Sequence, residues 1–150
     1  MGTHAVQHGT TAEVVGANVK RLRSARNLGL RALSNKVGNG ETGRPLLRHS
    51  AINQIEKGTR RVDVDDLTAL AIALDTSPIG LLMPADTPDG ANDPTKMVAL
   101  TGMNTKVTAD KLWLWLRGEA SVTSRSAMSV IANTQPRWQH TRWIKENGSD

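Results

Sequence analysis

Apolar residues recur at helical spacing through the first half of the chain, in five short runs separated by polar or glycine-bearing breaks. Val15, Val19 and Leu22 keep the spacing of one helix face and predict a helix from Thr10 to about Arg26. Thr10 and Glu13 stand at the spacing of a capping box, which marks Thr10 as its start. Asn27-Leu28-Gly29 breaks the run. Gly29 is an acceptable N-cap for a second helix from Leu30 to Val37, with Leu30, Leu33 and Val37 facing inward. Asn39 to His49, with two Gly and a Pro, reads as a loop. The third run, Ser50 to Gly58, splits cleanly at 100° per residue. Ala51, Ile52 and Ile55 fall on one side and Ser50, Asn53, Gln54 and Lys57 on the other. Gly58 is the residue type that closes a helix in the left-handed conformation.

In the fourth run Asp63 is placed to cap, and Asp65 and Asp66 favour the helix dipole in the first turn. Leu67, Leu70, Ala71 and Leu74 form its core stripe. Ser77 followed by Pro78 opens a short fifth helix through Met83, ended by Pro84. Residues 84–95, rich in Pro and Asp, read as a linker. After it, Met97 to Leu100 is too short a run to assign. Thr108 to Arg117 predicts a helix stopped by Gly118, although its LWLWL centre also alternates like a strand. Ser124 to Asn133 and the stretch opened by Pro136 predict two more helices. The expected fold class is all-α. A disordered tail (1–10) carrying His4 and His8 precedes a five-helix domain (11–83), and a small, mainly helical C-terminal module (96–150) follows the linker.

Charge changes the picture. From Asn18 to Arg61 there are eleven Lys or Arg against Glu41 and Glu56, a net +9. From Val62 to Pro94 there are seven Asp and no basic residue, a net −7. A molecule with one basic and one acidic face suits a phosphate backbone on one side only. The outward stripe of the third helix is short and amide-rich. Gln and Asn of that reach can pair with base edges, adenine above all, although a plain amphipathic surface helix would carry the same pattern.

The ordered set VKRLRSARNLGLRALSNKVG, SAINQIEKGTRR and VDDLTALAIALDTSPIGLL resembles the lambda-repressor-like (Cro and xenobiotic-response-element type) helix-turn-helix regulators, of the kind found in actinobacteria and their phages. The resemblance covers about residues 13–83, and its most specific piece is Ile52-x-x-Ile55-Glu56-x-Gly58. It implies a five-helix DNA-binding domain whose third helix enters the major groove. It implies base reading by His49, Ser50, Asn53 and Gln54, with Arg48 beside them at the start of that helix. It also implies an ion pair between Arg23 and Glu56. The residues agree on that pair, since Glu56 falls one turn after Ile52 at the edge of the apolar face, where an unpaired carboxylate is costly. Phosphate contacts are expected from Arg31, Arg44, Arg48, Lys57, Arg60 and Arg61, which would set register and affinity and not sequence choice.

Two departures stand out. Asn39–His49 is eleven residues, where the usual turn is three or four. It would either splay the two helices or lay Arg44 and Arg48 along a phosphate strand, the reading we favour. Gly29 stands where the family commonly has Ser or Thr, which weakens that cap.

No nucleophile–base pair, phosphate-binding glycine loop or metal-ligand spacing stands out around the four His, so neither an enzyme nor a cofactor or metal is expected. The chain has no Cys, no apolar run long enough for a membrane and no signal-peptide pattern, which fits the cytoplasm of a bacterial host cell. The four Trp all follow residue 112, with no Phe or Tyr anywhere. They are expected to form the core of the C-terminal module; a homodimer interface through residues 96–150 and extra DNA contact are the alternatives. The function expected is a sequence-specific regulator of double-stranded DNA, a phage or mobile-element repressor acting by operator occupancy. The alternative is an adaptor or antitoxin whose residues 97–150 grip a protein.

Overall fold

The structure, a computed structural model, describes residues 9–38, 43–85, 93–123 and 126–147, the side chains of His140, Trp143 and Asn147 excepted. His4, His8, the first part of the 39–49 loop, most of the expected linker and the first two residues of the helix expected from Ser124 lie outside the described residues. The described chain is mostly helical, with one two-stranded sheet. It divides into two compact units. One runs to Asp93 and includes Leu100–Gly102; the other holds Pro94–Ala99 and the residues from Met103 onward.

The first unit contains α1 (Thr10–Ala25), α2 (Leu30–Lys36), α3 (His49–Glu56), α4 (Val64–Ala73) and α5 (Pro78–Leu82). Every helix sends aliphatic side chains into one core. Val15, Val19, Leu33, Ile52, Ile55, Leu70, Leu74 and Leu81 are all 2% exposed or less. Each such burial contributes about 1.5–3 kcal/mol, so a domain of this size needs no aromatic centre. Asp63 caps α4 by accepting from the Asp66 backbone N–H at 2.8 Å, and Ser77 caps α5 through the Gly80 N–H at 3.2 Å. Gly58 adopts φ +68°, the left-handed geometry that ends α3.

The start of α1 differs from expectation. Thr10 is already helical, and the N-cap is Gly9, whose carbonyl accepts from the Ala12 and Glu13 N–H groups. The capping box is not made. Instead Thr11 and Thr101 exchange two hydrogen bonds, Thr11 N–H to Thr101 Oγ1 at 3.1 Å and Thr101 N–H to Thr11 Oγ1 at 2.8 Å. This exchange draws Leu100–Gly102, expected in the C-terminal module, into the first unit.

In the second unit β1 (Met97–Val98) pairs antiparallel with β2 (Val107–Thr108), Met97 opposite Thr108 and Val98 opposite Val107. The LWLWL segment is helical: α6 (Ala109–Leu116) follows β2 directly and Gly118, at φ +75°, ends it. Then come α7 (Ala127–Thr134) and α8 (Arg137–Asn147). Val98, Val107, Ala109, Leu112 and Ile131 are the buried apolar residues here. Trp113, Trp115 and Trp138 are not, which corrects the expectation that the tryptophans form this core. Trp115 is half-buried, while Trp113 is 37% and Trp138 73% exposed. With Ala109 and Leu112 turned inward, the helical period carries Leu114 to the outer side, while Trp113, one turn after Ala109, stands at the flank of the buried face and keeps part of its indole in solvent.

Candidate nucleic-acid interface

The placement of α3 begins with its inner face. Ile52 and Ile55 are fully buried between α1 and α2. Gly16 of α1 backs onto the Ile55 carbonyl so closely that a Cβ there would clash with the oxygen. A helix side chain at that position would push α3 outward, so glycine sets the spacing.

Arg23 then ties three segments together. Its Nε and Nη2 donate to the two Glu56 carboxylate oxygens at 2.6 and 2.8 Å, and Nη1 donates to the Leu28 carbonyl at 2.8 Å. The planar fork matches the carboxylate in a way a lysine could not. The Glu56 hydrogen bonds hold the Arg23 guanidinium above its ordinary value, against the opposing effect of burial. From the other side, Ser34 of α2 donates to the Leu47 carbonyl at 2.7 Å, and Leu47 itself is buried just before α3. The Leu46 N–H donates to the Gly38 carbonyl at 3.1 Å, which closes the 39–45 loop at its base. The long connection therefore does not splay α2 from α3: they pack directly.

On the outer face His49, Ser50, Gln54 and Lys57 are exposed and Asn53 is half-buried. Arg48 is the N-cap residue, its carbonyl accepting from the Ile52 N–H at 3.1 Å and its side chain exposed. The Gln54 carbonyl accepts from both the Thr59 N–H (2.9 Å) and the Thr59 hydroxyl (3.2 Å), fixing the chain as it leaves the helix. Arg60 and Arg61 follow, both exposed, and with Gln54 and Thr59 they line a cavity of about 440 Å³. Arg31, in the first turn of α2, and Arg44, in the loop, are also exposed. Arg31, Arg44, Arg48, Lys57 and Arg61 make no ion pair among the described residues. Arg60 does make one, with Asp66, its Nη2 lying 3.6 Å from Oδ2.

Two polar residues, Asn18 and Asp66, are buried in a way not expected from the sequence. Asn18 is 1% exposed; its Nδ2 donates to the Leu81 and Met83 carbonyls at 3.0 and 2.7 Å, satisfying the end of α5. Arg21 donates to its Oδ1 through Nε and Nη2. Asp66, expected to favour the helix dipole in the first turn of α4, is 6% exposed. Helical register carried both signals: Asn18 lies on the Val15–Leu22 stripe, and Asp66 is four and eight residues before Leu70 and Leu74.

Among the described residues no group of three or more His, Cys, Asp or Glu could hold a metal ion, and no helix is long and apolar enough to cross a membrane. No family model, curated protein or solved structure matches the chain.

Proposed function

We propose that the first unit is a helix-turn-helix domain of the lambda-repressor-like kind, and that the protein is a sequence-specific regulator of double-stranded DNA. The observation that carries this reading is the outer face of α3. His49, Ser50 and Gln54 are exposed, with Asn53 half-buried beside them, on a helix braced from behind by Ile52, Ile55 and the Arg23–Glu56 fork. Side chains that read base edges must project from a rigid element, and exposed arginines and a lysine surround this one. The protein would act by occupying its operator, as a phage or mobile-element repressor in the cytoplasm of a bacterial host, with no chemistry of its own.

Selection from a randomised duplex library, followed by binding across a salt series, tests this reading. One enriched site is expected, with log K falling linearly against log salt at a slope of about −0.9 for each phosphate neutralised. Gln54→Ala or Ser50→Ala should relax preference at one position by about 1–3 kcal/mol. Arg60→Gln with Arg61→Gln should weaken binding to all sequences and flatten the slope by roughly two phosphates' worth. No enrichment and no salt dependence would refute the assignment.

A second reading has its own observation. Trp138 at 73% exposure, with Trp113 and Leu114 also outward, leaves large apolar side chains in solvent on the second unit. Such residues favour a protein contact, either a homodimer through residues 96–150 or the partner of an adaptor or antitoxin. Sedimentation of the purified chain, with Trp138→Ala alongside, separates a self-associating protein from a monomer that retains a stoichiometric partner.

A further inference from the structure

Asp66 stands in the first turn of α4, and its side chain is only 8% exposed. Its Oδ2 is buried and without a hydrogen bond, a costly condition for a carboxylate. Arg60 Nη2, at 3.6 Å, is within ion-pair range but too far for a hydrogen bond. The arginine side chain is 42% exposed, so the pair is closed at one end and open at the other. Both residues line the same cavity as Gln54, Thr59, Arg61, Val62 and Asp63.

Burial, and then the charge of Asp63, push the Asp66 carboxyl above its ordinary 3.8; Arg60 and the Asp63 backbone N–H oppose them. The remaining charged side chain lining the cavity is Arg61. From α3 the cavity receives only the neutral Gln54, and α5, which packs on α4, carries no titratable residue. The Asp66 charge therefore depends chiefly on one partly exposed arginine that belongs to the candidate DNA-contacting set.

We propose that Arg60 is shared between Asp66 and a duplex phosphate, so that docking on DNA draws one proton onto Asp66 and binding tightens as the pH falls. This rests on the reading of the α3 face as a DNA interface. A phosphate that engages the guanidinium takes its field away from Oδ2 and adds negative charge beside a poorly solvated carboxylate, and both effects favour the protonated form. The proton comes from solvent and resides on the carboxyl. Because the Asp66 pKa is then higher in the complex than in the free protein, the complex holds a proton that the free protein lacks between those two values. Affinity rises as pH falls through the bound value and levels off below the free one, at no more than about tenfold per pH unit for a single proton. Asp66 acts through Arg60 and is a positioning residue, not a contact.

The test uses the full chain and the duplex enriched from the randomised library, titrated from pH 8 to pH 5 at fixed ionic strength. Wild type is compared with Asp66→Asn and Arg60→Gln. His49 lies in the same candidate interface, but both variants retain it, so their difference from wild type reports Asp66. The expected result is a steeper gain of affinity on acidification in wild type than in either variant, with Asp66→Asn binding more tightly than wild type at pH 8. The carboxyl 13C titration of Asp66 in the unmodified protein should move to higher pH when the duplex is added, a readout that stands even if a variant does not fold. Superimposable pH profiles for wild type and Asp66→Asn, or an Asp66 titration unmoved by the duplex, would overturn the proposal. A duplex bound with the expected salt dependence but without the proton linkage defeats this inference alone. Absence of salt-dependent binding at any pH defeats the functional reading beneath it.

Discussion

Replacing Gly16 by alanine should destabilise the first unit, although the same change in most helices does the reverse. In a helix interior, alanine is favoured over glycine by about 1 kcal/mol. Here the added methyl would sit well inside 3.0 Å of the Ile55 carbonyl oxygen and 3.2 Å from its carbon. The obstacle is backbone and not the end of a flexible side chain. That residue's carbonyl also accepts from the Gly58 N–H at 3.0 Å, part of the turn that ends α3. Relief requires α1 and α3 to part by roughly half an ångström or more, against a core in which Val15, Val19, Ile52 and Ile55 are already closed to solvent. Overpacking of this kind costs about 1–3 kcal/mol, and a rigid obstacle belongs in the upper part of that range. Subtracting the propensity gain leaves a net loss of about 1–2 kcal/mol. Urea unfolding of Gly16→Ala measures it, with the exposed neighbour Ala17→Gly giving the propensity term in the same helix. A stabilised Gly16→Ala would refute the close approach as the determinant of where α3 stands.

Three further outcomes follow from the same packing. Glu56→Ala strands Arg23, whose side chain is 16% exposed, and should cost about 3–5 kcal/mol in urea unfolding; Arg23→Lys, which cannot form the fork, should also destabilise. Asn18→Ala leaves the Leu81 and Met83 carbonyls without their donor and should cost about 1–3 kcal/mol by thermal or urea unfolding, with Asn18→Asp worse because its oxygens face those carbonyls. For Asp66 the folded value lies above the unfolded 3.8, so its contribution to stability is complete below 3.8 and is lost as pH rises through the folded value. Asp66→Asn cannot ionise. Its stability relative to wild type should therefore increase between about pH 4 and neutrality, and a difference independent of pH would show that the carboxylate is not held at a cost.

Much of the first unit was legible along the chain because its signals are local. Ile52 and Ile55 at helical spacing, Asp63 before a leucine stripe, Ser77-Pro78 and Gly58 each act within one turn of their own position. Period and capping chemistry predict both ends of α2, α3 and α5, and the start of α4, to within a residue or two. For Glu56, a carboxylate at the edge of an apolar face calls for a cation, and the family resemblance implies that this cation is Arg23. What the chain could not disclose depends on residues distant in sequence. Gly16 is indispensable only because Ile55 arrives behind it, and Asn18, turned inward by its register, finds hydrogen-bond partners only because α5 ends against it. Gly9 caps α1 while Thr11 turns to Thr101, ninety positions away. The apolar area of the four Trp predicts a core, yet Val98, Val107, Ala109, Leu112 and Ile131 fill it and Trp113 and Trp138 stay exposed. Asp66 shows the difference most plainly. Its position in the first turn of a helix was local information, whereas the burial that makes its charge depend on Arg60 exists only once α4 is packed.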